Sequence, residues 1–252
     1  MIEIFFLSLI QGVTEFLPIS SSSHLVLASE YLDFNNQGLS IDVSLHIGSF
    51  IAVILYFHKD ILNFYENKIL FFQIFLSALP VMLVGFFLVE TNLINKIRNI
   101  ETIAWTTILF GILLYISDKF KLQKNIKDNF NLKSALIIGV LQIFSLIPGV
   151  SRSGIAITAA RFLNFGRFDS AKISFLLSIP ILCAVSFFGL KNILVSDNHH
   201  LAKINIIAIF FSFIFSLLTI KYFLKYIKKF NLNFFVYYRV ALGLILLTLV
   251  YL

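Results

Sequence analysis

Two polar interruptions in an otherwise apolar chain carry the residue types that handle phosphate. The first runs Gln11-Gly12-Val13-Thr14-Glu15 and, after Pro18, Ser20-Ser21-Ser22-Ser23-His24. Gln11 and Glu15 stand four residues apart, so a helical backbone puts them on one face. Two oxygen-bearing side chains there suit a hard divalent cation, Mg²⁺ or Ca²⁺, which takes oxygen ligands and shares phosphate oxygens. The same spacing also serves the wet face of an interfacial helix. Serines at a helix start cap its free N–H groups; equally, they form an anion site with one hydroxyl as nucleophile. A histidine can serve as general acid or base near neutral pH, a role open to His24, or it can be structural.

The second interruption, Pro148-Gly149-Val150-Ser151-Arg152-Ser153-Gly154, is the stronger signal. Arg152 lies in the middle of an apolar segment, where a charge requires an anionic partner. Serines and backbone N–H groups at a helix start form a phosphate cradle, and the guanidinium offers bidentate hydrogen bonds to phosphate oxygens. The partner could instead be Glu15. A resting ion pair that opens on substrate satisfies both readings. Asp42 and His46 also share a helical face and read as a structural hydrogen bond. Arg239 reads as a side chain that snorkels or pairs locally. His199 and His200 receive no role. The lone Cys183, inside an apolar run, reads as a buried hydrophobe, so neither a disulfide nor a metal-thiolate site is expected. There is no Gly-rich nucleotide loop, zinc-type Cys/His spacing or Gly-x-Ser-x-Gly elbow.

The elements that must position these residues are membrane helices. Of 252 residues, 59% are hydrophobic and only 13% are charged, with a mean hydropathy of +0.92. A soluble domain of this size cannot bury that much apolar side chain. Six stretches read as spans: 41–58, 69–90, 102–117, 173–190, 204–222 and 234–252. Residues 4–30 and 134–163 are broken by the two polar motifs, so each reads as two short helices around a turn, a re-entrant hairpin. Irregular backbone at membrane depth is tolerated where protein or a wet cavity satisfies it. The expected fold is therefore all-α: a polytopic membrane protein of about six transmembrane helices and two re-entrant hairpins.

The net charge of +7 does not point to nucleic acid, because the basic residues lie between apolar runs. With residues 1–40 outside and alternating spans, fourteen Lys and Arg fall in inside segments and four (Lys96, Arg98, Lys191, Lys203) outside. Arg152 and Arg239 lie within the membrane segments. The bias follows the positive-inside rule. The N-terminus lacks the Lys or Arg of a cleaved signal, and its apolar run ends at Gln11, so Met1 onward is expected in the mature protein. A weak repeat is also present. Pro18-Ile19-Ser20-Ser21-Ser22 resembles Pro148 to Ser153 with one insertion, each after an apolar segment carrying a Gln, Gln11 or Gln142. Phe75 to Pro80 likewise resembles Phe175 to Pro180. The expectation is a single integral-membrane domain 1–252, with a first repeat at about 1–100 and an inverted second at about 134–252, an arrangement that places a site between paired interrupted helices.

These residues resemble the undecaprenyl-diphosphate phosphatase family of the bacitracin-resistance type. That family carries (Glu/Gln)-x-x-x-Glu, then Phe-Leu-Pro-Ile-Ser-Ser and a His. Here these are Gln11 to Glu15, Phe16 to Ser21, and His24. It also carries Pro-Gly-x-Ser-Arg-Ser-x-x-Thr, here Pro148 to Ser153, with Ala156 in place of the Thr and Thr158 two residues later. Asp42 to Gly48, Ser174 to Pro180 and Tyr238 to Gly243 look familial too, so the resemblance runs nearly end to end. It implies a metal-dependent phosphatase of a polyprenyl diphosphate lipid, multi-pass in the bacterial inner membrane, with its site opening to the outer face. By the resemblance, Glu15 with Gln11 holds the divalent cation and Ser21 is the nucleophile. His24 manages protons, and Ser20, Gly149, Ser151, Arg152 and Ser153 bind the diphosphate. Direct attack by water stays open, as does a homodimer. Inverted repeats with interrupted helices are also how secondary transporters are built, so a lipid-phosphate flippase or ion-coupled carrier is the alternative.

Overall fold

The computed structural model describes residues 1–32, 38–63, 68–91, 93, 97–120, 124–194 and 199–252. Residues 33–37 of the expected outside loop 31–40 lie beyond the described residues, as do Lys96 and Lys121. Apart from one isolated bridge between Lys124 and Phe165, all regular structure described is helical. The first interrupted segment is α1 (Ile2–Thr14), a turn, and α2 (Ser21–Leu32). Then come α3 (Leu39–Tyr56), the short α4 (His58–Leu62), α5 (Lys68–Glu90) and α6 (Ile100–Asp118). A four-residue α7 (Ile126–Asn129) precedes the second interrupted segment: α8 (Leu132–Gln142), a 3₁₀ turn at Ile143–Leu146, and α9 (Arg152–Phe162). The chain ends in α10 (Arg167–Leu194), α11 (His199–Ile227) and α12 (Asn233–Tyr251).

Local chemistry sets several starts. The Asn99 side chain accepts from Thr102 N at the head of α6, and that of Asn131 accepts from Ser134 N at the head of α8. Each satisfies an N–H that has no partner within the helix. Among the described residues, five helices are long and apolar enough to cross a membrane: α5, α6, the Arg167–Gly189 part of α10, the Ala202–Ile227 part of α11, and α12. The expected sixth span, 41–58, appears as α3, but over Ser40–Tyr56 it falls among the shorter apolar helices. It carries Ser40, Asp42, Ser44, His46 and Ser49. The outer surface exposes large apolar side chains such as Phe72, Phe87, Phe187, Leu83 and Ile245. A water-facing monomer does not present a continuous apolar coat of this kind. The protein is a polytopic, all-helical membrane protein.

The packing places the two interrupted segments at the centre. α1 lies on α11 so closely that a Cβ at Gly12 would stand 2.4 Å from Phe215 Cβ. α8 lies on α5 in the same manner, and a Cβ at Gly139 would stand 2.4 Å from Ser77 O. Further, α3 packs on α11 and α5 on α10, while α3 also meets α10 and α6 meets α12. At one end, Arg167 donates to both carboxylate oxygens of Asp118 at 2.7 and 3.0 Å, and Leu232 N donates to Asp118 Oδ2 at 3.2 Å. Arg161 donates to the carbonyls of Asp118, Phe120 and Phe165. This polar knot ties the ends of α6, α9, α10 and α12 together.

Candidate active site

The two turns meet. Residues 15–20 link α1 to α2, and residues 147–151 follow the 3₁₀ turn into α9. Each ends on a serine in the left-handed region, Ser20 and Ser151, both with φ of 72°. A non-glycine residue there is strained and persists only where its surroundings hold it. These two serines are the ones aligned by the sequence repeat, and each immediately precedes a helix. The next residues, Ser21 and Arg152, are thus presented from the first turns of α2 and α9.

Gln11 and Glu15 share a face, as their spacing predicts, with Gln11 Nε2 donating to Glu15 Oε2 at 3.0 Å. Both are buried. Ser21 Oγ donates to the same Glu15 oxygen at 2.6 Å. Arg152 Nη2 donates to the other, Oε1, at 2.8 Å. Gln11, Glu15, Ser21 and Arg152 therefore form one cluster that bridges the turns. Among the described residues, Arg152 makes two further hydrogen bonds, both at 3.5 Å, to Ser174 O and Glu15 O. Most of its five N–H donors are thus not committed to short hydrogen bonds.

Ser151 and Ser153 hold backbone. Ser151 Oγ accepts from Gly154 N and caps α9, with Ser153 Oγ 3.2 Å away. Ser153 Oγ donates across to Leu17 O at 2.6 Å, a second bridge between turns. Ser20 Oγ lies 2.9 Å from Ser23 Oγ. Gly149, with φ of 92°, faces α6: a Cβ would stand 2.0 Å from Thr106 Oγ1, so no other residue fits. Thr106 also donates to Pro148 O at 2.5 Å. Thr158 bonds Gly154 O in its own helix and does not supply the hydroxyl that Ala156 lacks. His24 is not turned toward Ser21. Its Nδ1 lies 2.6 Å from Ser20 O and its Nε2 lies 2.6 Å from Tyr238 Oη.

Three residues join that sequence reasoning placed elsewhere. His46 does not act only within its own helix: its Nδ1 lies 3.0 Å from Gln11 Nε2 and 3.9 Å from Glu15 Oε2. Tyr238 reaches His24. Arg239 corrects the expectation of a snorkelling side chain, because it is completely buried. It donates to Pro18 O (3.1 Å) of the first turn, to Gly149 O (2.9 Å) and Val150 O (3.1 Å) of the second, and to Thr107 O (3.1 Å) on α6. The signal for it was in the sequence, since a charge at membrane depth defaults to a functional or structural partner. Its partners were not.

Oxygen ligands for a cation can be tested on the same geometry. Among the described residues, no three His, Cys, Asp or Glu side chains gather into a metal cluster. However, Gln11 Oε1 is buried and has no hydrogen-bond partner among the described residues. A buried acceptor left unpaired costs about 1–3 kcal/mol. Gln11 Oε1 and the Glu15 carboxylate are the oxygens that would hold a cation, and hard cations that keep few protein ligands fill their shells with water and phosphate oxygens. The donor set fits such an ion.

Comparison with known proteins shows the family. The model of the family described as bacitracin resistance protein BacA matches residues 4–245. A protein named undecaprenyl-diphosphatase from Pelagibacter ubique (strain HTCC1062) is 47% identical over 251 residues, covering 99% of this chain and 98% of the relative. Proteins of the same name from Saccharophagus degradans (43% identical; 98% and 97% covered) and Hahella chejuensis (40%; 99% and 98%) match equally fully. Both turns lie inside the matched residues 4–245, and the chain therefore belongs to the bacitracin resistance protein BacA family.

Proposed function

We propose that the cluster between the two turns removes one phosphate from undecaprenyl diphosphate, with the roles of its residues as follows. The activity is that of the family: the chain is an undecaprenyl-diphosphatase, a hydrolase tied to bacitracin resistance. The observation that carries the assignment of the site is Arg152, a membrane-embedded cation that bridges to Glu15 yet keeps donors uncommitted. A diphosphate head group entering between the turns meets these donors, and the prenyl tail stays among lipids. Ser21 Oγ attacks the terminal phosphorus, its proton passing to Glu15, which already accepts it in a hydrogen bond. The bridging P–O bond breaks, undecaprenyl phosphate leaves, and water then clears the phosphoserine as inorganic phosphate. Nε2 of His24, the nitrogen left basic while Nδ1 is anchored on Ser20 O, would exchange protons when its contact with Tyr238 Oη opens. Arg152 offsets charge that develops on the transferring group. Ser151, Ser153, Gly149 and Ser20 shape the cradle by holding the two turns in place. Glu15 and Gln11 Oε1 are the oxygens that would hold Mg²⁺ or Ca²⁺, and such an ion would neutralise charge on the diphosphate.

The surrounding architecture is read as six spans and two re-entrant hairpins in an inverted repeat, 1–100 and 134–252. The matched left-handed serines support this, as does the pairing of contacts, α1 on α11 with α8 on α5 and α3 on α11 with α10 on α5. In that pairing α10 corresponds to α3, so the Phe75–Pro80 and Phe175–Pro180 match, on α5 and α10, does not join equivalent helices. The fourteen-to-four charge bias places residues 118–133 inside and 31–40 outside, with the site opening outward. Cysteines introduced in these two loops label from opposite faces of intact cells. Labelling of both from one face ends the model.

The test of the site is phosphate release from a polyprenyl diphosphate by purified protein. Glu15→Gln is expected to lose most activity while still folding and inserting. Chelator reproduces that loss in the wild type, and added Mg²⁺ or Ca²⁺ restores it. Full activity in strong chelator removes the cation from the reading.

A further inference from the structure

We infer that Tyr238 is a positioning residue of the reaction, acting through His24; this rests on the assignment of His24 to the site. His24 Nδ1 faces the carbonyl oxygen of Ser20 at 2.6 Å. A carbonyl only accepts, so Nδ1 carries the hydrogen and the neutral ring has its free lone pair on Nε2. The neighbour of that lone pair is Tyr238 Oη, 2.6 Å away and 214 residues later in the chain. The phenol also stacks on the imidazole, with ring centroids 5.7 Å apart and planes 13° from parallel. Hydroxyl and ring together fix the plane and the direction of the imidazole.

The anchor is rigid. Tyr238 is followed by Arg239, whose four carbonyl contacts lock this part of α12 to both turns and to α6. A continuous strut thus runs from α12 through Tyr238 and His24 to the carbonyl of Ser20, the residue whose left-handed backbone starts α2. An acid–base group acts only from the correct tautomer and orientation, and a free imidazole in the first turn of α2 rotates about two side-chain bonds. The strut removes that freedom before substrate arrives.

Tyr238→Phe keeps the stacked ring and removes only the hydroxyl. In purified protein, kcat for phosphate release is expected to fall on the order of tenfold or more with KM little changed, a fraction of what a positioned acid–base group contributes. The thermal unfolding temperature stays at the wild-type value. The ¹⁵N resonance of His24 Nε2 moves as its hydrogen bond is lost, while Nδ1 remains protonated. His24→Gln separates the two claims. If His24→Gln is itself slow and Tyr238→Phe costs nothing further in that background, Tyr238 acts through His24. If Tyr238→Phe alone turns over at the wild-type rate, or if its loss is undiminished in the His24→Gln background, the inference is overturned. If His24→Gln turns over at the wild-type rate, His24 leaves the site and Tyr238 leaves with it.

Discussion

Arg152→Lys slows phosphate release by about 30- to 900-fold, equivalent to roughly 2–4 kcal/mol of transition-state stabilisation, the scale set by removing one preorganised donor from a developing charge. Lysine keeps the charge but not the planar fork, so it cannot hold Glu15 with one nitrogen while presenting others to phosphate. Arg152→Ala loses more, because the charge goes too. The loss falls mainly on kcat, since the contact strengthens as charge develops on the transferring group.

The competing account is that Arg152 exists to neutralise Glu15. The pair is mostly buried, with side-chain exposures of 13% and 5%, at 2.8 Å. Removing one partner of such a pair costs about 3–5 kcal/mol because the other charge is left uncompensated, whereas removing both can be neutral. Single substitutions at either position are therefore destabilising under both accounts, and unfolding temperature alone does not separate them. The double neutral variant, Glu15→Gln with Arg152→Met, does. It recovers stability, and on the phosphatase reading it releases no phosphate. A stable double variant working near the wild-type rate assigns Arg152 to structure alone and moves the site elsewhere.

What the sequence made legible follows from which forces act locally. The apolar stretches lie within the observed helices to within a few residues, because hydropathy over a span is a property of that span. The interruptions were legible because Pro18, the serine run and Arg152 break an apolar pattern. The Gln11–Glu15 face was legible because helical periodicity fixes it. The weak point of the span reading was α3, whose polar residues were visible but whose partners were not. Its His46 pairs with Gln11, 35 residues away, and not only along its own helix. His24 shows the same limit. The resemblance gave it the protons of the site, yet the ring turns to Ser20 O and to Tyr238 on the last helix. Long-range partners depend on how helices pack, and no periodicity within one segment encodes that. The repeat came closest to doing so, since its aligned serines, Ser20 and Ser151, share one rare backbone conformation.

Arg239→Met is the substitution expected to cost most in stability. Arg239 is completely buried and forms no salt bridge among the described residues; backbone carbonyls hold it. Three of the four belong to the two turns, so one guanidinium closes the gap between Pro18 and Gly149–Val150. Gly111 leaves the room for it, since a Cβ there would stand 3.2 Å from Arg239 Cβ. Methionine fills much of the volume but donates nothing, and unsatisfied carbonyls at membrane depth have no water to turn to. A loss of about 3–5 kcal/mol follows, taking the scale from stranded buried polar partners. Arg239→Lys keeps the charge yet offers three donors on a single atom, against a planar array that spans four carbonyls. It is expected to fall between wild type and Met. Because the turns carry Ser21 and Arg152, activity falls further than stability: Arg239→Lys protein that is still folded in detergent should release phosphate at least about tenfold more slowly, as misplacement of reacting groups by an ångström costs up to about a hundredfold. Thermal unfolding and phosphate release measured on the same preparation check both parts. Wild-type values for either Arg239 variant would mean that the two turns hold each other through Arg152–Glu15 and Ser153–Leu17 without help from α12.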